Sequence, residues 1–377
     1  MDIKRIVLPI LLIVAIVANC GHAEACTAAI VSAKASKEGG VILWKHRESN
    51  YYATNIRHFT SDKYSYTGVS HIDKPEAGVL CGVNEVGFGI VNTATRNLPE
   101  NPKVEGTSRR TGFMRDALIN CATIDEFEEF VRNYKRGCKF TTNVGVGDAE
   151  GRAAFFEIWG DGYRRYDVDK SEKGFDVRSS FSFAGDMNKL GSSKRRYDAM
   201  FELIGNKNKF SAKDFYNYSC TYYVAGKGDA LQSEDKLYDH LYETVPHRST
   251  VGSFTIICGK HPRILVAMGY PAAAPAIPVW VEAKGQIPAC LSGKDGYTLG
   301  RNFMKKAYIK DGTTKSRGGK KKSRYYLNKP LVREALKVKT ILPFPEQMPK
   351  NIEKFNQKAD AKFANHKARI EALINKY

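Results

Sequence analysis

Cys26 is the residue of this chain best placed for covalent chemistry. It follows Ala23-Glu24-Ala25, a small-residue pattern that closes a short apolar run and reads as an export-signal cleavage site. A cut after Ala25 leaves Cys26 carrying a thiol and an unblocked α-amine on one residue. The attacking form of cysteine is the thiolate, and an ordinary thiol with a pKa of about 8.5 is only slightly ionised at neutral pH. An α-amine titrates at about 7.7 to 8, so part of it is an unprotonated base a few bonds from the sulfur. One residue then supplies both nucleophile and base. The competing reading is a small buried hydrophobe or half of a disulfide, the commoner fates of an exported cysteine.

Upstream, Lys4 and Arg5 precede a nearly unbroken apolar run from Ile6 to Ala18, too short to span a bilayer comfortably. Residues 1–25 are therefore assigned to a removable secretory signal, and the protein to the periplasm or the secreted fraction. A lipoprotein signal is the alternative: Val17-Ala18-Asn19-Cys20 would make Cys20 the acylated residue and leave Cys26 to a further cut. After removal of the signal about 350 residues remain, enough for one large core or two modest domains. No second apolar run approaches membrane length.

Lys and Arg number 59 against 40 Asp and Glu, a formal charge of +19, so the surface attracts phosphate, anionic lipid headgroups, acidic glycans or anionic small molecules. Export removes the usual nucleic-acid partners and no nucleic-acid motif is present, so no specific nucleic acid is expected. Cys26, Cys81, Cys121, Cys138, Cys220, Cys258 and Cys290 follow the cut, an odd number that leaves at least one thiol outside intrachain disulfides. No cysteine or Cys/His spacing matches a metal site, and no cofactor is called for.

The elements that must position Cys26 begin at once. Thr27–Ala33 and Val41–Trp44, separated by a turn with Gly39-Gly40, predict a hairpin of buried strands. The second strand runs into Lys45-His46-Arg47-Glu48, which places charges at a strand end facing the nucleophile; an exposed charged turn is the alternative. A further hairpin is predicted over Gly78–Thr93 around an Asn-Glu-Val-Gly turn. Met114–Cys121 reads as a helix, and Thr123 with Glu126 forms a capping box for another that ends near Gly137. Val144–Val146, Ala153–Trp159 and Gly162–Val168 predict a strand meander, followed by helices over Arg195–Ile204 and Ser211–Tyr218 and strands over Phe254–Cys258 and Arg263–Met268. Pro275, Pro278 and Trp280 mark a pocket edge rather than a central strand. Residues 296–377 form a basic extension: Ser316–Lys322 reads as a solvated basic loop, and Ile352, Phe355, Phe363, Ile370 and Leu373 line one face of a terminal helix that docks on the body or on a second subunit.

Four segments in order carry a resemblance: Cys26-Thr27 at a processed terminus, Leu43–Glu48, Gly82–Gly89, and His247-Arg248-Ser249-Thr250-Val251. Over about residues 26 to 290 the chain resembles the cysteine N-terminal-nucleophile hydrolases of the choloylglycine hydrolase, penicillin V acylase and isopenicillin-N acyltransferase type. The resemblance implies an α+β fold, an αββα sandwich of two antiparallel sheets between helical layers, over residues 26–295. It implies cleavage or transfer at a linear amide C–N bond, with a small-molecule N-acyl amide as substrate and water or an amine as acyl acceptor. By that likeness Cys26 is the nucleophile, Lys45 steadies the thiolate, Glu48 stands where relatives hold the terminal amine with Asp, and Arg248 supports that cluster. Asn92 stands near the family's oxyanion-hole asparagine. Ser180, in Val177-Arg178-Ser179-Ser180-Phe181, takes the place of an asparagine side-chain donor, or Asn188 in the next loop replaces it.

Glu48 and Ser180 depart from the family pattern, which keeps a second class in play. This is a catalytically weakened binding protein on the same scaffold, engaging an anionic polymer or membrane surface through its basic face. A homo-oligomer is compatible with either.

Overall fold

The computed structural model describes residues 26–99, 110–134, 140–160, 162–315, 319 and 321–377; the secretory-signal and Cys20 readings and Cys138 fall outside the described residues. The chain runs β1 (Thr27–Val31), β2 (Ile42–Glu48), β3 (Thr54–Phe59), β4 (Tyr66–His71), β5 (Val79–Asn84), β6 (Gly89–Ala94), α1 (Arg110–Asn120) and α2 (Ile124–Asn133). It continues through β7 (Thr142–Gly147), β8 (Ala153–Trp159), β9 (Gly162–Asp167), β10 (Phe175–Arg178), α3 (Ser193–Gly205), α4 (Ala212–Ser219), β11 (Tyr223–Val224) and β12 (Gly228–Asp229). The remainder is β13 (Thr250–Ile257), β14 (Arg263–Met268), β15 (Ile277–Trp280), α5 (Ala289–Ser292), α6 (Asp295–Ala307), β16 (Tyr308–Lys315), β17 (Lys321–Leu327), α7 (Lys329–Lys337) and α8 (Ile352–Lys376).

Two antiparallel sheets dominate. One has six strands in the order β10-β1-β2-β13-β14-β15, and the other is a seven-stranded meander from β3 to β9. Ala28, Ile30, Val41 and Leu43 of the first sheet share one apolar cluster with Val69, Val83, Val91 and Phe155 of the second, so these faces pack together. The opposite face of the first sheet, with Ala29, Val31, Ile42 and Trp44, packs under Met200 and Ile204 of α3 and Phe215 of α4. The opposite face of the second, with Ile90, Val144 and Phe156, packs under Phe113 of α1 and Phe127 of α2. Two sheets between two helical layers are the αββα arrangement, and each strand needs apolar side chains on both faces for that reason. Gly145 marks how close the sheets come, since a Cβ there would sit 2.8 Å from Ile30 Cδ1. Gly87, at a φ of 85°, closes the β5–β6 turn in the left-handed region that favours glycine.

The structure extends or redraws several expected elements. β2 does not stop at Trp44; it carries Lys45, His46, Arg47 and Glu48 inside the sheet, all four buried, which removes the exposed-turn reading. The capping box of α2 is offset: Thr123 Oγ1 accepts the Glu126 N–H at 3.2 Å, while the Glu126 carboxylate accepts the Ala122 N–H at 2.6 Å. β15 is a buried edge strand, the place where Pro278 removes no inner ladder bond. Lys321 and Lys322 belong to strand β17 rather than to a loop. Beyond residue 295, Phe303 of α6, Leu331 of α7 and Phe363 and Ile370 of α8 join the intersheet cluster.

Candidate active site

Register brings the chemistry together. Thr27 pairs with His46 and Ala28 with Lys45 across β1 and β2, so Cys26, one residue before β1, comes level with Arg47. Side chains alternate along a strand. Lys45 and Arg47 therefore point toward the second sheet with Cys26, whereas Thr27, His46 and Glu48 point toward α3 and α4. Cys26 is 2% exposed, and its Sγ makes a long contact of 4.0 Å with the Glu48 backbone carbonyl, to which it donates. Cys81 on β5 lies near the same charges. Burial pushes its thiol up to about 12 against the pull of Lys45 and Arg47, so Cys81 stays protonated at neutral pH.

Lys45 crosses to the other sheet. β5 and β6 pair at Gly82–Ile90 and Val83–Gly89 and then separate, and the Lys45 ammonium enters the gap. It donates to the Leu80 carbonyl at 2.9 Å and to Asn92 Oδ1 at 2.5 Å. An ammonium has three hydrogens, so one remains for another acceptor. Asn92 is thereby oriented with its oxygen on Lys45 and its Nδ2 donating to Thr142 Oγ1 at 3.2 Å, which leaves a second amide hydrogen. Arg47 Nη1 donates to the Tyr51 carbonyl at 2.9 Å, which fixes a second buried cation on the Cys26 face.

Ser180 sits in a strapped segment. Asn143 on β7 donates from Nδ2 to the carbonyls of Ser179 at 3.0 Å and Phe181 at 2.8 Å. Thr93 Oγ1 donates to the Ser179 carbonyl at 2.8 Å, and Asn97 accepts the Ser182 N–H at 2.8 Å. The backbone around Ser180 is held from both sides, yet Ser180 Oγ is buried with no hydrogen-bond partner among the described residues. Buried hydroxyls normally have a partner, so this one has unmet hydrogen-bonding capacity. Asn188 does not supply a substitute: it is exposed, on a short turn of 3-10 helix where its N–H bonds Asp186.

On the other face of β2 a second polar cluster forms. Glu48, fully buried, meets His247 Nε2 at 2.7 Å and Arg196 Nε of α3 at 3.7 Å. His247 Nδ1 faces Ser249 Oγ at 3.0 Å, and Tyr242 stands edge-on to its ring. His46 shares this space: burial, then the charges of His247 and Arg196, hold it well below its ordinary pKa, so it is a neutral imidazole beside Thr250 Oγ1 at 3.1 Å. Arg248 does not join them. Its side chain is exposed and stacks over the Tyr325 ring at 4.0 Å, so the partner of Glu48 is the preceding residue. His247→Ala leaves a buried carboxylate with Arg196 alone and is expected to cost about 3 kcal/mol, while Arg248→Ala is expected to cost about 1 kcal/mol or less. Urea melts of the two variants beside the wild type read the difference.

No family model matches the chain, and none of the curated proteins does. Solved structures similar to it include an N-acylethanolamine-hydrolyzing acid amidase ortholog from Caenorhabditis elegans, at 18% identity over 62% of this chain and 92% of that one, with a TM-score of 0.41. Penicillin V acylase from Agrobacterium tumefaciens is similar at 15% identity, over 68% of this chain and 86% of that one, with a TM-score of 0.43. A variant of conjugated bile acid hydrolase from Clostridium perfringens is similar at 12% identity, over 71% of this chain and 95% of that one, with a TM-score of 0.44.

The sequence-expected residues thus separate into groups. Cys26 and Lys45 share the strand face between the sheets, and the Lys45 ammonium reaches the amide of Asn92, which lies on the face that β6 turns toward α1 and α2 with Ile90; Ser180 lies in the segment strapped to β6 and β7, Glu48 turns its carboxylate to the far face, and Arg248 lies outside. Sequence reading quoted Arg47 and His247 within their motifs but gave neither a role of its own, and it passed over Arg196 and Asn143. Strand alternation was the available signal for Arg47, two residues from Lys45. Nothing local marks Arg196 or Asn143, which act through contacts distant in sequence. Among the described residues no group of His, Cys, Asp and Glu is arranged to hold a metal ion, and no helix is long and apolar enough to cross a membrane.

Proposed function

We propose that the exported chain, cut to begin at Cys26, is a cysteine N-terminal-nucleophile enzyme that cleaves or transfers the acyl group of a linear N-acyl amide. The observation that carries the reading is Cys26 at the mouth of β1 on the same strand face as two buried cations, Lys45 and Arg47, since neighbouring Lys or Arg favours thiolate. In the proposed first step the α-amine takes the thiol proton, sulfur bonds the amide carbon, and the oxyanion is held by backbone N–H groups with Asn92 or Ser180. The C–N bond then breaks and the leaving nitrogen takes the proton from the α-ammonium, leaving a thioester. Water, or another amine, gives its proton to the α-amine and attacks the thioester, and the C–S bond breaks to return the thiol. Lys45, whose ammonium holds Asn92, couples the thiol's charge environment to the oxyanion donor.

The test is to determine the first residue of the exported protein and to assay that material against a panel of N-acyl amides. Acyl release by protein beginning at Cys26 supports the reading. Protein with no turnover, but with strong salt-sensitive binding of a polyanion, would support the binding-protein reading instead; the exposed Lys310, Lys315, Lys321 and Lys322 of the β16–β17 hairpin favour that second reading.

A further inference from the structure

One row of side chains on the second sheet holds the segment that carries Ser180. Thr93 of β6 pairs with Asn143 of β7, and Asn143 pairs with Glu157 of β8, so the three stand side by side across the strands. Alternation from Val91 and Phe155, which belong to the intersheet cluster, turns this row toward the first sheet. All three are buried. The row grips the segment on both sides of Ser180. Arg178 donates from Nε to Glu157 Oε1 at 2.9 Å, and the same carboxylate accepts the N–H groups of Phe183 at 2.9 Å and Ala184 at 2.7 Å. Asn143 donates from Nδ2 to the carbonyls that flank Ser180, and its Oδ1 accepts the Ser182 hydroxyl. Thr93 adds a second donor to the Ser179 carbonyl. Apolar packing would hold a segment at less cost than a buried carboxylate does. What directional bonds to successive groups add is a fixed place for the residue between them.

The first sheet shows where that place is. Ala28 of β1 pairs with Arg178 of β10, and Ala29 with Val177. Carried two residues past the end of that ladder, the same register sets Ser180 beside Cys26, and alternation from Ala28 and Arg178 turns both toward the second sheet. Directly opposed residues of an antiparallel pair have Cβ atoms about 4.5 to 5.5 Å apart. The Ser180 hydroxyl, buried and without a hydrogen-bond partner among the described residues, is thereby left for a group that reacts at Cys26.

We propose that Asn143 and Glu157, with Thr93, are positioning residues that hold the Ser180 hydroxyl against the carbonyl oxygen of a substrate attacked by Cys26. This goes beyond the amide-hydrolase reading and rests on it. The three act through Ser180 and do not themselves meet the reacting atoms. A donor of this kind works by standing in place before charge develops, and a displacement of about 1 Å can cost about a hundredfold in rate.

The experiment is a set of double-mutant cycles on the mature protein, read with an N-acyl amide from the panel. Asn143→Ala and the nearly isosteric Thr93→Val and Glu157→Gln are each made alone and together with Ser180→Ala. With Ser180 present, Asn143→Ala is expected to lower kcat about tenfold or more and the two isosteric changes about threefold, with KM held within about twofold. In the Ser180→Ala background the same changes are expected to cost less than about twofold, because the group they position is gone. A general structural defect would instead lower the rate by the same factor in both backgrounds. The proposal is overturned if the losses are equal in the two backgrounds, or if Ser180→Ala alone leaves kcat unchanged. Hydrogen exchange over residues 179–184, beside urea melts of the same variants, separates the two levels. Faster exchange confined to that segment, at little change in the melt, upholds the clamp on Ser180 even where no amide is turned over. Turnover that depends on Cys26 while the cycles show no coupling to Ser180 upholds the reaction and rejects the positioning role.

Discussion

Cys26→Ala is expected to lower amide turnover by about four to six orders of magnitude while leaving the fold in place. The size follows from removing the proposed nucleophile of a unit whose parts act together, so that no other group inherits the step. The fold is expected to survive because Cys26 precedes β1 and an alanine there keeps the backbone and most of the buried side-chain volume. Cys26→Ser keeps the α-amine and a smaller, far less acidic nucleophile, and is expected to retain only a trace of activity. Circular dichroism and a urea melt beside each rate keep a folding defect apart from lost chemistry. Wild-type rates in both variants would remove Cys26 from the reaction.

The second large effect is expected at Asn92. Removing one oxyanion donor typically costs about a hundred- to a thousandfold in kcat, and Asn92→Ala is expected to fall in that range. It carries a structural cost as well, because the Lys45 ammonium then loses its 2.5 Å acceptor and Thr142 a donor. That cost is about 1 to 3 kcal/mol for buried polar groups left unmet. Ser180→Ala supplies the contrast. Its Oγ has no hydrogen-bond partner among the described residues, so truncation removes no bond within the protein and stability is expected to hold. A kcat drop of about a hundredfold in Ser180→Ala at unchanged stability assigns the donor role to the hydroxyl. An unchanged kcat assigns it to Asn92 with the backbone. The ratio of the two losses, measured as kcat separately from KM, decides between them.

The layered fold was legible because its strands announce themselves locally. The β5–β6 hairpin carries its turn residues and a glycine at positive φ, and the meander from Val144 to Val168 is punctuated by turn chemistry. β3 and β4 were not read, since Thr54–Phe59 and Tyr66–His71 mix His, Arg, Ser and Thr with few apolar residues and owe their pairing to the sheet they extend. The β16–β17 hairpin was hidden by lysines, which on a two-stranded outlier face solvent on both sides.

At the site, sequence order placed Cys26 and Lys45 on neighbouring strands, and the β1–β2 register brings them to one face. Sequence order was not enough for Glu48. A strand that continues through four charged residues sends alternate ones to opposite faces, so Lys45 and Glu48, three apart, cannot share a side. The carboxylate consequently meets His247 and Arg196. Arg248 was one residue out for a similar reason: the turn before β13 aims His247 inward and leaves its neighbour stacked on Tyr325. Such a one-residue error is invisible in a motif and decisive in space.

One measurement bears directly on the proposed nucleophile. Mature protein is mixed with an N-acyl amide, quenched in acid within the time of a few turnovers, digested, and mapped by mass. The expected result is a single acyl adduct, labile to hydroxylamine, on a peptide that begins with Cys26. Active protein whose chain still extends upstream of Cys26, or an adduct confined to any other residue, would contradict the proposed chemistry.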